Sequence, residues 1–202
     1  MSTLTGVAFA STKTLVMSHG DTFLRVTNPT FTRMLNGTLL ASFSSITSKE
    51  TCFSGVWGKC SNDGGLTWSR EFLIRSSTSV YGACPSCLLT IQNKTFLFYI
   101  RYVRWWGGPS CSLWKCESLD NGQTWQNDMR IDSRMHNYTL ASYSATQARN
   151  GTLILPISWF SGDAYGRQLR WSSGVLRSDD YGDTWYEGGA IPDWVWKGGG
   201  IP

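Results

Sequence analysis

The chain has 202 residues, of which 41% are hydrophobic, 14% aromatic and only 16% charged, with 21 glycines, 11 tryptophans and a net charge of +4. So small a charge, without any Lys/Arg run, excludes a nucleic-acid binder built on a basic surface, and no apolar stretch is long enough to read as a transmembrane helix. The turn-rich, aromatic, charge-poor balance fits an all-β protein.

In chain order, Met1 to His19 is mixed and polar, without the basic start and apolar core of a signal peptide. A first β-unit follows. Its first strand is expected over Pro29 to Leu35, and Asn36-Gly37 turns it. Asn-Gly between apolar runs is a strong hairpin signal, because both residues accept positive φ. The second strand is expected over Thr38 to Ile46 and the third over Val56 to Ser61. The turn Ser61-Asn-Asp63-Gly-Gly65-Leu-Thr67-Trp68 then leads into a fourth strand starting at Thr67-Trp68.

The unit repeats. Asn93-Lys-Thr95 and Asn150-Gly-Thr152 follow Asn36-Gly-Thr38 at 57-residue intervals. The second turn recurs as Ser118-Leu-Asp120-Asn-Gly122-Gln-Thr124-Trp125 and Ser178-Asp-Asp180-Tyr-Gly182-Asp-Thr184-Trp185. Five matched positions in three copies at near-constant spacing define a repeat protein. In each copy the Asp is placed to accept backbone N–H bonds across its own turn, the Gly permits positive φ, and the Trp buries a large apolar face. These residues are therefore read as scaffolding.

The pattern Ser-x-Asp-x-Gly-x-Thr-Trp resembles the Asp box of sialidases and related β-propellers. The resemblance runs from about Phe23 to Gly189. Blade three, with Gly151-Thr-Leu-Ile-Leu-Pro156 ahead of Ser178-Asp-Asp-Tyr-Gly-Asp-Thr-Trp185, is similar to the third blade of sialidases. It implies a partial six-bladed sialidase-type propeller: three four-stranded antiparallel blades at about 22–76, 80–133 and 138–190, within one domain over 1–202. Such a chain reads as the N-terminal half of a longer ring. An assembly of two chains is the lesser alternative, and the oligomeric state is left open.

In an up-and-down blade the Asn-containing turns and the Asp boxes share one end. The longer connections, about 44–55, 77–84, 101–112, 134–144 and 158–172, fall near the opposite end, where ligand loops are expected. Two of them are rich in arginine and aromatics: Arg101-Tyr-Val-Arg104-Trp105-Trp106 and Trp159-Phe160-Ser-Gly-Asp163-Ala-Tyr165-Gly-Arg167. Aromatic faces stack on sugars and guanidinium forks hold carboxylates; packing between blades is the alternative use of the same residues.

The resemblance implies removal of terminal sialic or related acidic sugars from glycoconjugates by the parent protein. The family clamps the substrate carboxylate with arginines and uses an Asp as acid/base, with a Glu-activated Tyr as nucleophile in place of the usual pair of carboxylates. Arg25 corresponds to the first arginine, although Pro29 follows two residues late. No Asp lies between Arg25 and Ser61, so Glu50 in the first upper loop is the carboxylate nearest the acid/base place, with Asp163 as a second candidate. Arg104, Trp105, Trp106 and Tyr165 complete the expected binding surface. A non-catalytic propeller binding glycans or proteins through the same loops is the second reading.

Six cysteines remain. Cys52/Cys60 and Cys111/Cys116 bracket equivalent expected connections, which suggests two hairpin disulfides and a secretory or extracellular setting; buried thiols are the alternative. Cys84-Pro-Ser-Cys87 is a CxxC without a second CxxC or a His pair, so no metal site and no cofactor is expected. Of four Asn-x-Thr sequons, at Asn36, Asn93, Asn137 and Asn150, only Asn137 falls outside the repeated turns.

Overall fold

The computed structural model describes residues 25–46, 55–78, 81–103, 111–132, 137–138, 144–161 and 170–195. No helix occurs among them. The chain forms three consecutive antiparallel sheets. The first joins β1 (Arg25–Arg33), β2 (Leu39–Ile46), β3 (Gly55–Ser61) and β4 (Phe72–Ser76) in chain order. The second does the same with β5 (Tyr81–Ile91), β6 (Lys94–Val103), β7 (Cys111–Ser118) and β8 (Gln126–Arg130). The third has β9 (Asn137–Tyr138), β10 (Thr146–Gln147), β11 (Leu153–Ser161), β12 (Arg170–Ser178) and β13 (Tyr186–Val195). Both β9 and β10 pair with β11, so the innermost strand of this blade comes in two pieces and the expected four strands become five.

Residue alternation along each strand sends apolar side chains into two seams. The seam between blades one and two holds Met34, Leu40, Val56 and Ile74 against Leu88, Leu97, Tyr99 and Cys116. That between blades two and three holds Phe96, Phe98, Ile100 and Leu113 against Leu153, Leu155, Ile157 and Leu176. The inner strands β1 and β5 lie side by side: the Thr32 hydroxyl donates to Thr90 Oγ1 at 3.1 Å, and the Leu88 amide donates to Thr30 Oγ1 at 3.2 Å.

Each Asp box is a closed hydrogen-bonded turn. Thr67 N donates to Asp63 Oδ1 at 2.9 Å, the Ser61 hydroxyl to the same oxygen at 2.8 Å, and Gly65 N to Ser61 Oγ at 2.8 Å. Trp68 Nε1 donates to the Gly65 carbonyl at 3.1 Å. The same bonds recur around Asp120, with Thr124 N at 2.9 Å, and around Asp180, with Thr184 N at 2.9 Å. Trp125 and Trp185 likewise reach the carbonyls of Gly122 and Gly182. Because Trp68 is tied back to the box and Ser69 N donates to the Cys60 carbonyl at 2.8 Å, residues 67–71 belong to the turn, and the fourth strand begins at Phe72 rather than at Thr67. The first strand likewise begins earlier than expected, at Arg25.

The first turns are not all alike. Ser61 pairs with Leu39, Ser178 with Leu153, but Ser118 with Thr95. Thr95 thus occupies the place of Leu39, one residue out of step with the even 57-residue spacing of the asparagines. The reason is the turn. In blades one and three the Asn-Gly loop closes through Met34 N to Thr38 O and Ala148 N to Thr152 O, both at 2.8 Å. In blade two Ile91 pairs directly with Lys94, leaving a two-residue turn in which Gln92 takes φ +48°.

The cysteine pairing Cys111–Cys116 is incorrect. Both residues lie on β7, with Cys111 in the core between blades two and three and Cys116 in that between blades one and two. Five residues of strand separate Cα atoms by about 16 Å at roughly 3.3 Å per residue, against the roughly 7 Å limit for a bridge. Cys52, of the other pair, lies outside the described residues, and Cys60 is an unbridged thiol. The support this pairing lent to an oxidising setting falls with it.

Candidate functional site

The three boxes lie at one end of the blades. Thr38 Oγ1 donates to Asn62 Oδ1 at 2.6 Å and Asn36 N to Asn121 Oδ1 at 3.3 Å, so the first turn of blade one touches both its own box and that of blade two. The connections that leave β2 at Ile46, β6 at Val103 and β11 at Ser161 depart from the other end. That end is the candidate site.

Arg25 stands there on the backbone, its Cα paired with Ile46 at the upper end of β1. A bulge sits below it, between Thr27 and Thr30. Asn28 takes φ +53° in the bulge, and its amide donates to Cys84 Sγ at 2.9 Å and Ser44 Oγ at 3.4 Å. Bulges re-aim the strand beyond them, and this one separates Arg25 from Pro29 in register. Glu50, Arg104, Trp105, Trp106, Asp163 and Tyr165 lie outside the described residues. The innermost strand of blade three is also irregular: Tyr138 pairs with Trp159 and Thr146 with Ile154, which leaves three more residues on the inner side than on β11.

A polar cluster that sequence reasoning missed spans the seam between blades one and two. Asp128 on β8 accepts from Arg101 Nη2 at 2.5 Å, from Arg75 Nε at 3.3 Å and from the Tyr99 hydroxyl. The Arg101 guanidinium lies 3.9 Å from the centre of the Trp114 ring. Burial first, and then the Asp128 carboxylate, raises the Tyr99 phenol, so it stays a protonated donor. The cluster ties β4 of blade one to β8 of blade two and anchors β6 near its end at Val103. The Arg75–Asp128 contact joins residues 53 apart in sequence, and no local pattern announces it.

Among the described residues, the box carboxylates and the CxxC thiols are shifted as well. Hydrogen bonds from Thr67 and Thr124 hold Asp63 and Asp120 down at about 2. For Asp180 burial works the other way, yet the bonds from Thr184 prevail and it too lies at about 2. Burial pushes the Cys84 thiol up to about 11 and Cys87 up to about 12, so this CxxC carries two neutral thiols at neutral pH. Among the described residues no three His, Cys, Asp or Glu side chains gather as a metal site, and no helix is long and apolar enough to cross a membrane.

Comparison with known proteins accords with this architecture. The family described as BNR repeat-like domain matches residues 37–195. No curated protein matches the chain. Among solved structures, a Hadza microbial sialidase superposes with a TM-score of 0.67 at 15% identity, over 86% of this chain and 39% of the sialidase. A Penicillium chrysogenum alpha-L-arabinanase complexed with arabinobiose gives 0.55 at 16% identity, over 79% and 49% of the respective chains. The leech intramolecular trans-sialidase gives 0.59 at 13% identity, over 89% and 46%. The chain thus spans less than half the length of each of these structures. At such identities the likeness establishes the fold: that of the sialidase-type propeller, in three blades.

Proposed function

Since the chain belongs to the BNR repeat-like family, we propose that its three blades form part of one glycan-acting propeller domain over 1–202, whose parent releases terminal sialic or related acidic sugars. The observation that carries this reading is Arg25 at the upper end of an innermost strand, at the end of the blades opposite the Asp boxes. An arginine carried at that backbone position suits a sugar carboxylate, because a guanidinium can hold a carboxylate in two-point fashion. Arg104, Trp105, Trp106 and Tyr165 are proposed to contact the sugar, and Glu50 or Asp163 to move the proton at the glycosidic oxygen. The similarity to sialidases supports an acidic sugar; the similarity to an arabinanase supports glycan recognition more broadly.

A second reading has one specific observation in its favour. Between Arg25 and Ser61 there is no Asp, and Glu50 is the only carboxylate. A non-catalytic propeller that binds glycans or proteins needs no acid/base there.

The test compares wild type with Arg25→Ala. Each is titrated with a sialylated oligosaccharide, an arabino-oligosaccharide and lactose, and turnover of a fluorogenic sialoside is followed in parallel. The proposal expects tightest binding of the sialylated ligand and its loss in Arg25→Ala. Binding without turnover in the complete ring transfers the assignment to the binding module. Equal affinity for lactose, or binding indifferent to Arg25, overturns the carboxylate clamp.

A further inference from the structure

Resting on the reading of Arg25 as a carboxylate clamp, we propose that Asn28 is its positioning residue: the Asn28 amide, lodged between two blades, fixes the bulge that aims the upper end of β1. All three innermost strands lose register at one height. The box serines set the correspondence between blades: Leu40, Phe96 and Ile154 are equivalent, one residue beyond the partners of Ser61, Ser118 and Ser178. Phe43, Tyr99 and Ile157 are then equivalent too. In β1 residues 28 and 29 stand opposite Phe43, and in β5 Ser86 is the extra residue beside the Pro85–Tyr99 pair. In blade three the break between Tyr138 and Thr146 includes the same height, opposite Ile157. Above the break, Arg25, Gly82 and Asn137 take equivalent places, opposite Ile46, Tyr102 and Phe160. Of these three only Arg25 carries a charge.

The break in β1 is pinned by side chains from two sheets. Asn28 has φ +53°. Asparagine enters this region more readily than most residues, yet a residue other than glycine keeps it only where its surroundings fix it. Here the Asn28 Nδ2 donates to Cys84 Sγ at 2.9 Å and to Ser44 Oγ at 3.4 Å. The Ser44 hydroxyl in turn donates to the Thr27 carbonyl at 3.2 Å. Ser44 and Cys84 are both fully buried. Cys84 belongs to β5, so the amide ties the bulge of the first blade to the inner strand of the second.

The lever is long enough to matter. Arg25 stands three residues above Asn28, roughly 10 Å along the strand. A tilt of about 10° at the bulge displaces its Cα by about 2 Å, against a tolerance of about 0.5 Å for a preorganised binding group. Asn28 therefore acts on the ligand through Arg25 and not by touching it.

Calorimetric titration of the chain with a sialylated oligosaccharide and with lactose is the experiment. Wild type is compared with Asn28→Gly, Cys84→Ala, Cys84→Ser, Arg25→Ala and the Asn28→Gly/Arg25→Ala double variant. Glycine keeps the positive φ and removes the amide. Circular dichroism melts verify folding, and should Asn28→Gly or Cys84→Ala fail to fold, the other carries the test. Both should weaken the sialylated ligand by roughly tenfold, the worth of one hydrogen bond to a charged group, and leave lactose within about twofold. Cys84→Ser keeps an acceptor for the amide and should stay near wild type. In the Arg25→Ala background Asn28→Gly should add nothing, because the two act through one contact. The positioning role is overturned, with the clamp left standing, if Arg25→Ala loses the sialylated ligand while Asn28→Gly and Cys84→Ala do not. Equal losses for lactose, or additive losses in the double variant, overturn it in the same way. If wild type does not bind the sialylated ligand, or Arg25→Ala binds it unchanged, the clamp itself fails and the positioning role falls with it.

Discussion

A Cβ built on Gly182, in the third Asp box, would lie 2.9 Å from the Phe96 ring of the blade before it. The box is therefore more than a local turn: its glycine is where one blade's turn meets the preceding blade's core. Gly182 also has φ +91°, which L-residues rarely adopt.

Gly182→Ala should therefore cost more than Gly65→Ala. Both glycines have positive φ, +91° and +95°, so the backbone strain is shared. Only Gly182 adds a clash with a buried ring. The expected excess is about 1–3 kcal/mol, the usual range for overpacking. Urea melts of the two variants decide it, and equal midpoints would count against the seating of the box on Phe96.

Asp120→Ala should destabilise by about 1–2 kcal/mol, as expected when a capping acceptor is lost. It removes the acceptor for Thr124 N and for the Ser118 and Thr124 hydroxyls. Thermal melts and ligand titration check this together: a lower melting temperature with unchanged ligand affinity in the folded protein is the expected pair of results.

The boxes also set an acid limit. Asp63, Asp120 and Asp180 lie at about 2 in the folded chain, against about 3.9 for an unfolded Asp. A depressed carboxylate contributes stability that is complete above the unfolded value and lost as pH falls toward the folded one. Stability should thus fall between about pH 5 and pH 2, and the fall should flatten in a triple Asp→Asn variant. Urea midpoints measured across that range decide it.

Asp128→Ala should destabilise by about 1–3 kcal/mol, because it leaves the buried Tyr99 hydroxyl without its acceptor and Arg75 beside Arg101 without a counter-charge. Added salt should restore part of the loss by screening the two arginines. A melt insensitive to salt would place the cost in the hydroxyl alone.

Alkylation under non-reducing conditions followed by peptide mapping should find Cys111 and Cys116 unlinked to each other. A Cys111–Cys116 linked peptide would contradict their placement in opposite cores of one strand.

The sequence by itself determined the class and the repeat. Box geometry is local: Asp63, Gly65, Thr67 and Trp68 bond within eight residues, so spacing alone announces each turn and the antiparallel strands around it. Strand alternation does the same for the apolar faces. Register was not legible, because whether Asn93 sits in a two-residue or a five-residue turn depends on how Ile91 and Lys94 meet across β5 and β6. Nor was the Arg75–Asp128–Arg101 cluster, whose members come from three strands of two blades. Cys111 and Cys116 look like the rims of a loop in sequence, yet strand pairing buries them on opposite faces. Local hydrogen bonds are encoded by neighbours in the chain; contacts between blades exist only once the sheets have packed, and the tertiary structure alone decides them.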